Sequence, residues 1–537
     1  MLKKLVKKII DGDFPSPSIP QWIAGFTAVV VIRSFIEIFS NTPYSGIVVS
    51  NLRRVHYFIC FVVVALILSL VVSIFTKQRG NRVINLALYG LPIIFLAPII
   101  DLILTKGGVA HMSYIADTGP KLFADYLTFG GVGNGATPGM QIEVFLILCA
   151  IGWYVQTKSK KIISTVVAVL VSYTLMFIIG ALPGILYTVS HIPLNGADTS
   201  AVTSFMQRSV AGSNIPTNIL HGELLYSTPS VLSMNGRNTL LSQVLYLLFF
   251  IFGLAWFWYA HKKTALAVLG NIRTTRIFLC LSLLGMGSLS AYSRFPIMFT
   301  WVDWLSFTVL SLSWFSACMF ATHVNDLADI EIDKISNPDR PLPRGAVTVR
   351  EMHEISYVWL LLSLIGAYIV GYFAFFMSAI FISAYYLYSA PPFRLKQVPL
   401  FSSFLISIAV LATVFAGFFF VSSGKIITEF PVSYAIGILI IFTLGVNIRD
   451  IKDVEGDRKA GIKTLPVIFG KYGNEVVGFL LALSFILAPF FLPFFTTYSI
   501  ALPTAIIGYW LCVRKPYKER YIFFLFFVFC LVSIFFH

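Results

Sequence analysis

Fifteen apolar stretches, most of them close to 20 residues long, recur from one end of this sequence to the other. Such runs leave little choice of fold. Inside lipid no water is available to backbone N–H and C=O groups, so a crossing segment must be a helix or part of a closed barrel. Continuous apolar runs fit the helix, which needs about 20 residues to cross a hydrocarbon core of about 30 Å. The first six lie at roughly 22–42, 56–76, 83–104, 141–156, 162–190 and 239–260. The other nine lie at roughly 276–296, 301–324, 353–372, 374–390, 401–422, 432–449, 474–493, 497–513 and 521–537. Only 12% of the residues are charged, about half the share of a soluble domain. The expected fold is an all-α polytopic membrane protein.

Charge sets the expected orientation. With the N-terminus in the cytoplasm and the spans alternating, 30 of the 39 Lys and Arg residues fall on the cytoplasmic side. The net charge of +15 is thus read as a positive-inside bias and not as a nucleic-acid surface. The six cysteines contain no CxxC pair and sit in or beside apolar runs, which fits small buried hydrophobes. The basic start, MLKKLVKKIIDGDFPSPS, lacks a small-residue cleavage site. A multi-pass protein in the cell membrane of a bacterium or archaeon is expected, its N-terminus cytoplasmic. Residues 105–140, with a Gly-rich TFGGVGNGATPG tract, and 191–238 read as long outer loops. The short basic stretch HKKTALAVLGNIRTT, 261–275, reads as the boundary between a six-span region, 1–260, and a nine-span region, 270–537. Arg33 and Glu37, four residues apart in the first span, read as an intramembrane ion pair.

The chemistry is concentrated in the second region. Asp326, Asp329 and Asp333 end the eighth span; Asp450, Asp453 and Asp457 end the twelfth. Both sets have the spacing D-x2-D-x3-D, which on a continuous helix puts three carboxylates on one face. Asn325, Asp329 and Asp333 form a second ladder at i, i+4. Carboxylates at a membrane helix end are costly unless paired or metal-bound, and six on one membrane side repel one another. Hard oxygen ligands suit Mg²⁺, which usually binds through one or two carboxylates and substrate phosphates. Two such clusters facing one cavity are therefore expected to hold a diphosphate between metal ions. Basic residues on the same side, in NPDRPLPRG (337–345), YSAPPFRLK (388–396) and around the second cluster, are placed to take the remaining phosphate oxygens. A divalent-cation or phosphate transporter is an alternative, although its charges belong near the bilayer midplane on broken helices. A non-catalytic membrane scaffold is another.

These motifs together resemble the UbiA superfamily of intramembrane prenyltransferases, over residues of about 270–537. The resemblance implies a nine-helix bundle around a central cavity under a polar cap. It makes Asn325, Asp326, Asp329 and Asp333 the first Mg²⁺–diphosphate motif and Asp453 and Asp457 the second, with Asp450 beside it. Asp326, Asp329, Asp453 and Asp457 are then the catalytic set. Asn325, Arg340, Arg344, Tyr388, Arg394, Lys396 and Lys459 are the expected substrate-binding residues. The implied reaction is Mg²⁺-assisted ionisation of a polyprenyl diphosphate and alkylation of an acceptor, aromatic or glycerol-phosphate lipid. The motif wording leans toward the ether-lipid and chlorophyll-ester branches. Residues 1–260 lie outside the resemblance.

Overall fold

The computed structural model describes residues 14–40, 51–105, 114–131, 135–191, 199–211, 213, 229–422, 426–492 and 495–535. The basic stretch 1–13 and residues 132–134 of the Gly-rich tract lie outside them. Helices make up the described chain, with no strand among the described residues. Fourteen helices there are long and apolar enough to cross a membrane. The fifteenth expected run, 521–537, corresponds to a helix of 17 residues, Glu519–Phe535, about 26 Å long at 1.5 Å per residue. The protein is a multi-pass membrane protein.

The chain forms two compact units: residues 1–262 with 300–305, and 263–299 with 306–537. In the first, α1 (Ile19–Ser40), α2 (Asn51–Thr76), α3 (Gly80–Gly90), a 3-10 turn and α4 (Leu96–Thr105) precede a shorter α5 (Gly119–Leu127). Then come α6 (Pro138–Ser159), α7 (Ile162–Gly180), α8 (Leu182–Ser190), α9 (Thr199–Ala211) and α10 (Pro229–Ala260). Helices α5 and α9 occupy stretches expected to be loops. Both are short and polar enough that no apolar run announces them. The described end of the Gly-rich tract serves a helix start: the Thr137 hydroxyl accepts from Met140 N–H at 3.2 Å and so caps α6. The Arg33–Glu37 pair forms, at 3.2 Å, and Glu37 also takes Arg53 at 2.7 Å and the Tyr57 hydroxyl at 3.1 Å.

The second unit holds α11 (Lys262–Gly270) from residue 263, α12 (Thr274–Tyr292), α13 (Trp301–Ala328) from residue 306, α14 (Ile330–Ser336), α15 (Val349–Val370), α16 (Tyr372–Ser389) and α17 (Phe401–Val421). After α18 (Val432–Gly445) a 3-10 segment, Val446–Asp453, leads into α19 (Val454–Lys459), followed by α20 (Leu465–Phe469), α21 (Gly473–Phe491), α22 (Phe495–Val513) and α23 (Glu519–Phe535). Helices α12 and α17 meet backbone to backbone. A Cβ on Gly287 would lie 2.1 Å from Val414 O, and one on Gly417 1.9 Å from Leu284 O. Lipid gives no hydrophobic drive for helices to associate, so close packing of small residues supplies it. Here the Ser288 hydroxyl adds a bond to Gly417 O at 2.9 Å. Phenylalanines fill the interior, with Phe418, Phe419, Phe485 and Phe529 all buried.

Candidate active site

The first carboxylate cluster straddles a break between two α-helices and the second a change from 3-10 to α-helix, where the sequence spacing predicts one continuous helical face. The α backbone of α13 breaks at Asp329 (φ −112°, ψ 19°) before α14 begins. The hydrogen-bond ladder still runs through, from Asp329 N–H to Asn325 O at 3.0 Å and from Asp333 N–H to Asp329 O at 2.8 Å. In the second cluster Asp450 and Asp453 lie in the 3-10 segment and Asp457 in α19. A 3-10 helix has three residues per turn, so Asp450 and Asp453 align one above the other. Asp457 follows at the α-helical i+4 interval.

Two features bring the clusters together, and spacing alone gave no sign of either. Asn337 Nδ2 donates to Asp333 Oδ1 at 3.0 Å and to Asp453 Oδ1 at 3.1 Å, so one amide ties the first cluster to the second. Gly456 lets α19 lie against α14: a Cβ there would be 2.7 Å from Ile332 Cγ2 and 2.5 Å from Ser336 Oγ. A polar cavity of about 40 Å³ results, lined by carboxylates of both clusters together with Asn325, Arg273, Arg340, Tyr388, Lys396 and Arg449.

Cations hold these carboxylates at defined positions. Arg273 and Arg340 both donate to Asp326 Oδ1, and Arg340 also to Asp333. Asn271 donates to the other oxygen of Asp326 at 2.7 Å. Arg394 reaches Asp329 Oδ1 at 3.0 Å and Ala328 O at 3.1 Å, while Lys396 bonds the same Asp329 oxygen. The Arg394 backbone is left-handed (φ 41°), sparsely populated for a non-glycine residue and held here by those two bonds. Arg449 stacks on the Tyr388 ring at 5.1 Å. Burial lowers Arg273 to about 10. Burial pulls Arg340 the same way, but Asp326, Asp333 and Asp453 outweigh it and leave that guanidinium above its ordinary value. Asp333 is pushed up by burial, against the opposing pull of Arg340 and Asn337.

The expected site residues are thus partly regrouped. Asn325, Asp329, Asp333, Asp450, Asp453, Asp457, Tyr388 and Lys396 line the cavity. Asp326 is buried outside the lining and anchors Arg273 and Arg340, and Arg394, also outside it, pairs with Asp329. Arg344 and Lys459 are exposed and outside the lining. Arg273 and Arg276 also line the cavity, although in the sequence they read only as topological charge. Among the described residues no three His, Cys, Asp or Glu side chains form a ready metal cage. The donor set nevertheless fits Mg²⁺, which takes one or two carboxylates and completes its shell with phosphate and water.

A family model described as the UbiA prenyltransferase family matches residues 297–531. The digeranylgeranylglyceryl phosphate synthase of Pyrococcus horikoshii is 31% identical over 208 residues, covering 37% of this chain and 69% of its own. Its counterpart from Pyrococcus furiosus is 30% identical over 210 residues, 38% and 69% of the two chains. Among solved structures, a UbiA homolog from Archaeoglobus fulgidus bound to GPP and Mg²⁺ aligns with 51% of this chain and 96% of its own, at 21% identity and a TM-score of 0.41.

Proposed function

Because the chain belongs to the UbiA prenyltransferase family, we propose that its second unit transfers a geranylgeranyl-type polyprenyl group from the diphosphate to the hydroxyl of a glycerol-phosphate lipid. The observation that carries this reading is a polar cavity in which two carboxylate clusters, joined through Asn337, face a ring of guanidinium and ammonium groups. The acceptor class follows the relatives, whose names specify a digeranylgeranylglyceryl phosphate product. An aromatic acceptor is the alternative within the same chemistry.

Asn325, Asp329 and Asp333 on one side and Asp450, Asp453 and Asp457 on the other would hold Mg²⁺ with the diphosphate. When bound, the metal neutralises charge developing on the leaving group. Arg394 and Lys396 then turn from carboxylate to phosphate oxygens, and Arg273 and Arg340 offer their remaining N–H groups, for which the guanidinium fork is well suited. Asp326 keeps Arg273 and Arg340 aimed. As the allylic C–O bond breaks, its electron pair leaves with the diphosphate, and the acceptor oxygen attacks the cationic carbon and passes its proton to the released diphosphate. Tyr388, with the apolar bundle behind it, keeps water from that carbon. The positive-inside bias supports a cytoplasmic site, and residues 1–260 are taken as a separate membrane domain.

Purified protein in lipid, given radiolabelled geranylgeranyl diphosphate and Mg²⁺, tests the proposal against four acceptors: geranylgeranylglyceryl phosphate, 4-hydroxybenzoate, homogentisate and a dihydroxynaphthoate. A product with the glycerol-phosphate lipid alone, lost in Asp329→Asn/Asp453→Asn, is expected. An aromatic product instead overturns the acceptor. No product and no released prenyl alcohol overturns the assignment of the clusters.

A further inference from the structure

The first unit contains a cavity of about 560 Å³, within the range of about 300–1,000 Å³ typical of small-molecule sites. Helix α2 forms one wall along most of its length. Arg53, His56, Tyr57, Cys60, Val64, Leu68 and Val72 all line the cavity, at the three- and four-residue steps of a single helical face. The first two turns of that face are polar and the rest apolar but for Ser69, whose hydroxyl is bonded to Leu66 O at 2.9 Å, over about 28 Å at 1.5 Å per residue. Opposite the apolar part stand Leu86, Ile147 and Ile151.

Among the described residues the polar end carries surplus positive charge. Arg33, Arg53 and Arg237 line it, against the carboxylate of Glu143 in the lining and that of Glu37 between Arg33 and Arg53. Among the described residues, three guanidiniums against two carboxylates leave at least one positive charge. Glu37 already holds two of the three arginines, and Glu143 accepts Ala97 N–H at 3.1 Å. Arg237 makes no ion pair among the described residues, and its Nε is buried without a hydrogen-bond partner there. Hydroxyl groups of Tyr57 and Tyr114 face the same space, Tyr114 fixed by His56 Nε2 at 2.9 Å and His56 by Ser242 at 2.9 Å. Surplus cationic charge within membrane helices is costly and marks a functional site. Guanidinium groups prefer phosphate or carboxylate partners.

We propose that the first unit is a second ligand site, which takes an anionic amphiphile with its phosphate or carboxylate head at Arg237 and its chain along the apolar face of α2. The proposal does not rest on the prenyl-transfer reading. The test measures binding of radiolabelled oleyl phosphate to the full-length protein in phosphatidylcholine nanodiscs, with EDTA present to remove cation-dependent binding at the carboxylates. Oleyl alcohol and inorganic phosphate serve as competitors. Saturable binding near one per chain is expected, unchanged in Asp329→Asn/Asp453→Asn. It should weaken at least tenfold in Arg237→Gln and recover in Arg237→Lys. Ile151→Trp, which fills the apolar end, should abolish it, and Leu68→Trp repeats that test should either variant unfold thermally. Oleyl alcohol competing as well as oleyl phosphate would overturn the anionic head. Inorganic phosphate competing equally would overturn the amphiphile. Binding unaltered in folded Arg237→Gln and Ile151→Trp proteins would overturn the site.

Discussion

Gly456 offers the sharpest test of how the two clusters are assembled. It lies in α19 without a left-handed φ, so the backbone itself does not require glycine. On helix propensity alone Gly456→Ala should stabilise the protein by about 1 kcal/mol. The packing argues the opposite. The added methyl would sit 2.7 Å from Ile332 Cγ2, 2.5 Å from Ser336 Oγ and 3.2 Å from Ile332 O. Ordinary carbon contacts are about 3.5–4.0 Å, so α14 and α19 must part by roughly 1 Å. The serine can rotate away, but Ile332 is β-branched and buried and cannot. Overpacking of this kind costs about 1–3 kcal/mol. The same displacement separates Asp333 from Asp453 and stretches the Asn337 bridge, and a misplacement of about 1 Å can cost 10²-fold in rate. Prenyl transfer in nanodiscs should therefore fall by roughly two orders of magnitude in kcat, with the thermal midpoint lowered. Ile332→Ala should restore part of the rate in the Gly456→Ala background, giving a non-additive double-mutant cycle. A Gly456→Ala enzyme with unchanged kcat and a raised midpoint would refute the close-approach argument.

Asn337→Ala should lower kcat about tenfold or more while leaving expression and thermal midpoint close to wild type, because it unties the clusters without removing a carboxylate; steady-state kinetics read both effects. Arg394→Ala and Lys396→Ala should each raise the KM for the prenyl diphosphate strongly, whereas Arg344→Ala and Lys459→Ala, exposed and away from the cavity, should change it less than about threefold. Equal effects across the four would contradict the regrouping. Protons compete with a metal for carboxylate oxygens, and burial keeps Asp333 protonated to a higher pH than an ordinary aspartate. Apparent Mg²⁺ affinity should accordingly rise with pH through the range in which Asp333 ionises and then level off; Asp333→Asn should flatten that slope, as activity titrated with Mg²⁺ at a series of pH values will show.

The sequence by itself determined the class and much of the chemistry. Long apolar runs permit little besides membrane helices, and the physics that makes them do so is local to each run. The two D-x2-D-x3-D clusters were legible for a similar reason, since carboxylates at membrane helix ends demand partners wherever they occur. Even Arg33 and Glu37 could be paired from their i, i+4 spacing, whereas the further partners Arg53 and Tyr57, which come from another helix, could not. Tertiary structure decided what depended on distant segments meeting. Arg273 precedes its partner Asp326 by 53 residues, and nothing in its local sequence separates it from ordinary topological charge. Asn337 sits 116 residues from Asp453, so its bridging role exists only once α14 and α19 are packed. Gly456 stands between Glu455 and Asp457 with nothing in the sequence to mark it, and its purpose lies entirely in what stands across from it. Periodicity and charge report what each segment needs; only the folded chain settles which segment supplies it.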